Sequence, residues 1–317
     1  MWVNIYTPWQ EKPADHRVLQ YEKKLVEIIQ KSDHSVVATF SDGSTAEGTH
    51  LVGCDGSRSR VREILCNMAG TISQNDQLDV RFLGCSAELP LDVVRQMKEL
   101  DPLFLQGHHP NGSFFFFGIQ DTPVINKTQN FKCQVNVSWS YCEGFMGRDH
   151  PVEVPDSQEA RMALVQEIAN HWTPPFQDVI RSIPLDTPLQ EIKIEDWSRC
   201  DSGAWDNFQG RTTLMGDAAH AMTMYRGEAV NYGILDVKTF VESHSHTLSD
   251  PERMEDSQAA CDAFEQKMIG RAKPAIGASR KACLHAHYSE IVDPESPLVS
   301  KRALESKADV KSFHIRM

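Results

Sequence analysis

Two short stretches constrain this chain more than any others, because each runs an apolar strand into a turn that sets glycine beside aspartate. The first is Leu51-Val52-Gly53-Cys54-Asp55-Gly56-Ser57-Arg58-Ser59-Arg60-Val61-Arg62. Glycine lets the backbone turn sharply, and the turn leaves a carboxylate at the C-terminal edge of the strand, where α/β proteins bind ligands. The second is Arg211-Thr212-Thr213-Leu214-Met215-Gly216-Asp217-Ala218-Ala219-His220. Here the small side chains of Ala218 and Ala219 allow a ligand to approach the backbone. A further turn, Gly227-Glu228-Ala229-Val230-Asn231, opens a helix-rich region.

The rest of the chain reads as a frame for these turns. Val18–Tyr21, Leu25–Ile29, Val36–Phe40 and Thr49–Gly53 have strand character, and the Asp42-Gly43 turn between two of them signals a hairpin. A short helix follows Ser57, with Val61, Ile64 and Leu65 on one face. The polar run Thr71–Asp79 reads as a linker. Ser113–Ile119 and Phe131–Tyr141 read as neighbouring antiparallel strands, because Val135, Val137 and Trp139 alternate with polar residues. Helices are expected near Leu91–Leu100 and Ser157–Trp172, and a long one over Ser257–His287 with a kink at Pro274. The expected division is 1–79, 80–197, 198–290 and a loosely ordered tail over 291–317.

Composition narrows the partners. With 317 residues and 40% hydrophobic content, the chain can bury a large core. Its formal charge of -12 disfavours nucleic acid and anionic membranes. No signal peptide and no apolar run of membrane-spanning length occurs, so a cytoplasmic protein with a small-molecule substrate is expected. The eight cysteines are scattered without a C-x-x-C pair and read as reduced, mostly buried thiols. No metal site is expected: in Cys283-Leu284-His285-Ala286-His287, helical spacing turns the middle ligand away from the other two.

The D-G and G-D motifs together, in this order, resemble those of the FAD-dependent aromatic hydroxylase family, which includes p-hydroxybenzoate and salicylate hydroxylases and many fungal secondary-metabolite monooxygenases. The resemblance runs from about Val18 to His287. It implies a mixed α/β fold: an incomplete Rossmann-like FAD-binding domain, an inserted antiparallel-sheet substrate domain and a C-terminal helical region. By the same resemblance Asp55, Gly56 and Arg62 lie near the FAD pyrophosphate and the nicotinamide route, and Gly216 and Asp217 near the ribityl chain. Gly227, Glu228, Ala229, Val230 and Asn231 lie at the flavin ring. FAD is the implied cofactor and NAD(P)H the co-substrate, and the implied reaction inserts one oxygen atom into a small aromatic or alicyclic metabolite.

The departures are equally specific. Met224 stands where the family usually has proline, and Ala229 and Val230 bring side chains where small residues let backbone approach the ring. No G-x-G-x-x-G occurs, although the resemblance implies on the order of a hundred residues ahead of Arg17, carrying the first strand, glycine loop and helix of a dinucleotide fold. Without them the parallel sheet exposes ladder edges, so the alternatives are that residues 1–15, whose Trp2, Ile5, Tyr6 and Trp9 are apolar, partly fill the gap, that the chain pairs with a partner such as a second copy in a homodimer, or that it is unstable; residues 1–15 read equally as a disordered tail. These departures keep a second function open, a flavin-free cyclase, isomerase or dehydratase on the same fold, and a third, an inactive truncated homologue. No catalytic acid or base is marked by any motif. His220 reads as a packed or capping residue, Arg226 and Glu228 as solvated charges at a helix start, and Phe114–Phe117 as sheet core.

Overall fold

The computed structural model describes residues 5–6, 20–32, 35–249, 256–289 and 292–300. The chain begins with a strand at Ile5–Tyr6 (β1), then a meander of Leu25–Ser32 (β2), Ser35–Phe40 (β3) and Thr45–Gly48 (β4). Asp42 and Gly43 make the expected turn before β4: Gly43 sits at φ +81°, and the Asp42 carboxylate accepts from the Ser44 N–H at 3.0 Å. The expected strand at Val18–Tyr21 is not formed over Gln20 and Tyr21, Tyr21 lying in a bend, while Val18 and Leu19 fall outside the described residues. Glu22 in the left-handed region (φ +60°) turns the chain there, a conformation incompatible with continuing a strand.

His50–Gly53 (β5) carries the first motif and leads into the helix Arg60–Ala69 (α1). Ser59 caps α1, its hydroxyl accepting from the Arg62 N–H at 2.9 Å, and Gly70 ends it in the left-handed region. The linker region holds the short strand Asp76–Gln77 (β6). After it come Val80–Leu89 (β7), Leu91–Leu100 (α2), Phe104–His108 (β8), Ser113–Asp121 (β9), Pro123–Asn126 (α3) and Phe131–Ser140 (β10). Gln158–Ala169 (α4), Phe176–Arg181 (α5), Gln190–Glu191 (β11) and Glu195–Asp196 (β12) follow. Thr212–Leu214 (β13) carries the second motif into Asp217–His220 (α6), and the chain then runs through Ala229–Ser249 (α7) and Ser257–Tyr288 (α8). Helix α8 runs unbroken from Ser257 to Tyr288 with Pro274 inside it.

Two sheets matter for the site. The first has the order β1-β5-β13, with β13 parallel to β5 in the register Thr212↔Leu51 and β1 antiparallel on the other side of β5 in the register Ile5↔Leu51. The N-terminal residues therefore do add a strand beside the D-G strand. The second is antiparallel, in the order β11-β7-β10-β9-β8. Its strand β9 divides its phenylalanines between two faces, as the pleat demands. Phe115 and Phe117 enter the core under α4 and α5, while Phe114 and Phe116 join Phe82 and Tyr225 on the face toward α8. The Phe114–Phe117 run is thus core on one side only. Among the described residues all eight cysteines are free thiols, no group of acidic, histidine and cysteine side chains could hold a metal, and no helix is long and apolar enough to cross a membrane.

Candidate functional site

Parallel pairing of β5 with β13 brings the two motif turns side by side at one sheet edge. They open on a cleft of about 840 Å³, lined by Asp55, Gly56, Ser57 and Arg58 from the first turn, Asp217 from the second, and the segments 191–195, 222–224 and 227–230. Of the sequence-derived candidates, Asp55, Gly56, Asp217, Gly227, Glu228, Ala229 and Val230 line this cleft, whereas Arg62, Gly216 and Asn231 do not. The strip Glu191–Glu195 was missed by sequence reasoning. Nothing local marks it, because it reaches the cleft only through β11 and β12 pairing with β7 and β6.

The two aspartates are used differently. Asp55 turns its carboxylate onto the start of α1, accepting from the Ser59 hydroxyl and from the N–H groups of Arg60 (2.7 Å) and Val61 (3.2 Å). It satisfies donors that no helical carbonyl can reach. Asp217 instead faces the cleft. The protein mass around it pushes its carboxyl above the usual range, with His220 and Arg62 pulling the other way.

Arg62 does not reach the cleft, because its guanidinium is buried and committed. It donates to the carbonyls of Ser57 (2.6 Å), Ser73 (3.0 Å), Ala218 (3.1 Å) and Asp217 (3.3 Å) and to the Asn75 side chain (2.8 Å), and lies 4.8 Å from the Trp197 ring centre. It therefore ties the first turn to the second. Gly216 also acts from behind, its N–H donating to Asp236 at 2.9 Å in a left-handed conformation (φ +58°) suited to glycine. Asp236 further holds His220 Nε2 at 2.6 Å and Arg271 at 2.7 Å. His220 and Asp236 are both fully buried, so His220 packs behind the G-D turn.

The third wall is the turn into α7. Tyr232 N–H makes the first bond of that helix, to Glu228 O at 3.2 Å. The N–H groups of Glu228, Ala229, Val230 and Asn231 thus precede the helical ladder, at the positive end of a 21-residue helix. Arg226 and Glu228 are not solvated charges: they pair at 2.7 Å, with side chains 10% and 13% exposed, and Arg226 also donates to Pro297 O. Val230, by contrast, is 75% exposed, its side chain standing at the cleft edge.

A second pocket of about 450 Å³ adjoins the cleft through Met224 and Gly227, residues that line both. Its walls are Phe82, Phe104, Phe114 and Phe116 of the large sheet with Met224 and Tyr225, and its polar side chains are Gln106 and Asn136. Tyr225 presents its ring and hides its hydroxyl, which lies 3.0 Å from Ser138 Oγ in a buried cluster with His287. Burial pushes the Tyr225 phenol up and holds the His287 imidazole down to about 4, so both are neutral anchors of the turn.

These residues fit the ring and hydroxylated chain of FAD. Carboxylates such as Asp217 accept from hydroxyls, and unladdered N–H groups suit an electron-rich ring edge. A Cβ built on Gly56 would meet nothing within 4 Å, which shows open space over that turn. Of the cleft's cations, Arg58 leans toward Glu195 at 3.4 Å.

Comparison with known proteins bears on the family and the fold. The model of the FAD binding domain family matches residues 14–272. A probable FAD-dependent monooxygenase of Arthroderma benhamiae is 41% identical over 303 residues, covering 92% of this chain and 70% of its own length. FAD-dependent monooxygenases of Aspergillus terreus (33% identical, 69% of this chain, 54% of its own length) and Emericella nidulans (31%, 86% and 68%) also match. Among solved structures, Klebsiella pneumoniae HpxO complexed with FAD and uric acid superimposes with a TM-score of 0.61 at 19% identity, over 84% of this chain and 59% of its own. A salicylate hydroxylase substrate complex gives 0.60 at 19%, over 84% and 61%. The fold is that of the flavin monooxygenases, and the chain spans between 54% and 70% of the length of these relatives.

Proposed function

The chain belongs to the FAD binding domain family, and from that premise we propose that it is an FAD-dependent monooxygenase of the aromatic hydroxylase type. NAD(P)H serves as reductant, and one oxygen atom enters a small aromatic or alicyclic secondary metabolite. The observation that carries the reading is the junction at Met224 and Gly227, where a polar cleft built by the D-G and G-D turns meets an apolar pocket on the large sheet. Such a junction sets a polar cofactor against an apolar substrate.

In this reading Asp217 accepts hydrogen bonds from the ribityl hydroxyls, and the N–H groups at the start of α7 face the flavin ring. Gly56 leaves backbone room over the first turn. Bound FAD supplies the redox and oxygen chemistry that no side chain here can perform. The protein's own part is to position and to exclude water. Arg62 ties the two turns together, Asp236 fixes the second from behind, and the phenylalanine walls keep the reacting end of the substrate dry. Support comes from the family membership and from relatives named as FAD-dependent monooxygenases.

The test is the visible absorption spectrum of purified protein before and after incubation with excess FAD and desalting, followed by NAD(P)H oxidation assays. Retained flavin absorbance with substrate-dependent NAD(P)H consumption is expected. A folded protein that remains colourless and makes product without oxygen would replace this reading with a redox-neutral one.

A further inference from the structure

The second pocket specifies its ligand more narrowly than the family does, and this inference rests on the function proposed above. Among the described residues no charged side chain lines it. The neighbouring cation Arg226 is already engaged by Glu228 and by Pro297 O. A carboxylate placed here would lose its hydration and find no cation, a cost far above that of burying a neutral polar group.

The two amides are oriented by their own bonds. Gln106 donates its Nε2 to Leu298 O at 3.2 Å, which leaves Oε1 to accept. Asn136 Oδ1 accepts from Gln134 Nε2 at 2.6 Å, which leaves Nδ2 to donate. One acceptor and one donor stand on an otherwise apolar floor that is mostly phenylalanine, a surface suited to a flat ring system. At about 450 Å³ the space lies in the range that holds a drug-sized ligand and is ample for fused rings.

We infer that the pocket takes an uncharged, fused-ring aromatic bearing a hydroxyl and a carbonyl group, the hydroxyl donating to Gln106 Oε1 and the carbonyl accepting from Asn136 Nδ2, and that it rejects aromatic carboxylates. Gln106 and Asn136 are then the specificity-determining pair.

Isothermal titration of the full chain, incubated with FAD, with hydroxyacetonaphthone and with hydroxynaphthoate at neutral pH tests this directly. The two probes share a bicyclic phenol and differ in ketone against carboxylate. The ketone should bind at least about tenfold tighter, because the carboxylate must be desolvated without a partner. Gln106→Met and Asn136→Leu should each weaken ketone binding about fivefold, the worth of one neutral hydrogen bond. Equal or tighter binding of the carboxylate, no binding of either probe, or unchanged ketone affinity in both variants overturns the inference. The wild-type ratio decides even if a variant fails to fold. Flavin absorbance recorded on the same samples reports separately on the proposed function: a colourless protein that still prefers the ketone sinks the oxygenase reading and leaves the pocket's selectivity standing.

Discussion

The turns at Asp55 and Asp217 begin from the same local recipe and end in different employments. Both follow adjacent parallel strands, both place glycine next to aspartate, and both open a helix. Yet Asp55 closes on the first turn of its own ten-residue helix, whereas Asp217 leaves its carboxylate to the cleft. The difference follows from what comes next in sequence. Ser59 and a regular amphipathic helix offer Asp55 a set of free N–H groups, while α6 has only four residues, and its turn is fixed instead by Asp236 from α7. Similar motifs thus satisfy a helix start in one place and present a carboxylate to a cleft in another.

The strongest way to break the comparison is to cut the tie between the turns. Arg62→Ala leaves the carbonyls of Ser73 and Ala218 without this buried donor, and should cost about 3–5 kcal/mol in urea unfolding. A loss below about 1 kcal/mol would show that the turns hold themselves. Next, Asp55→Ala removes a helix cap and should cost about 1–2 kcal/mol of stability while FAD affinity changes little. Asp217→Ala should do the reverse, weakening FAD about tenfold in a flavin-binding titration with the melting midpoint held or raised. If both variants lose stability and flavin together, the two aspartates share one role.

The smallest expected effect concerns pH. The folded state holds the Asp217 proton more tightly than the unfolded chain does, because burial raises its pKa above the ordinary 3.8. Its contribution therefore disfavours folding increasingly as pH rises through that window, and the deficit is absent below it. Relative to wild type, Asp217→Ala should gain stability between acid and neutral pH, read as diverging melting midpoints. Midpoints that stay parallel across this range would place Asp217 in an ordinary solvated environment.

The local half of this architecture is legible in the residues. Asp42-Gly43, the alternation of Val135, Val137 and Trp139, and the two glycine–aspartate turns are all encoded by neighbours in sequence, and each is found where its chemistry puts it. The non-local half is not legible. Arg62 reads as a residue near the FAD pyrophosphate and the nicotinamide route, and only the fold carries the Ser73 and Asp217 carbonyls to its guanidinium. Phe114–Phe117 reads as uniform core, but a strand has two faces and only one meets α4 and α5. Arg226 and Glu228 read as solvated until Pro297 closes over them. The bend at Glu22 is not legible either, because a left-handed glutamate leaves no mark in hydrophobic periodicity.

Helix α8 has a mechanical consequence. Its early part packs Phe264, Met268 and Ile276 into the core behind the two motif turns, and its later part packs Ala282, Cys283 and Ala286 under the pocket face of the large sheet. One rod of 32 residues, about 48 Å long, therefore sets the angle between the half that holds the cleft and the half that holds the pocket. The weak point of that rod is Pro274, where one rung of the backbone ladder has no donor. A change in that rod is therefore felt by cleft and pocket together.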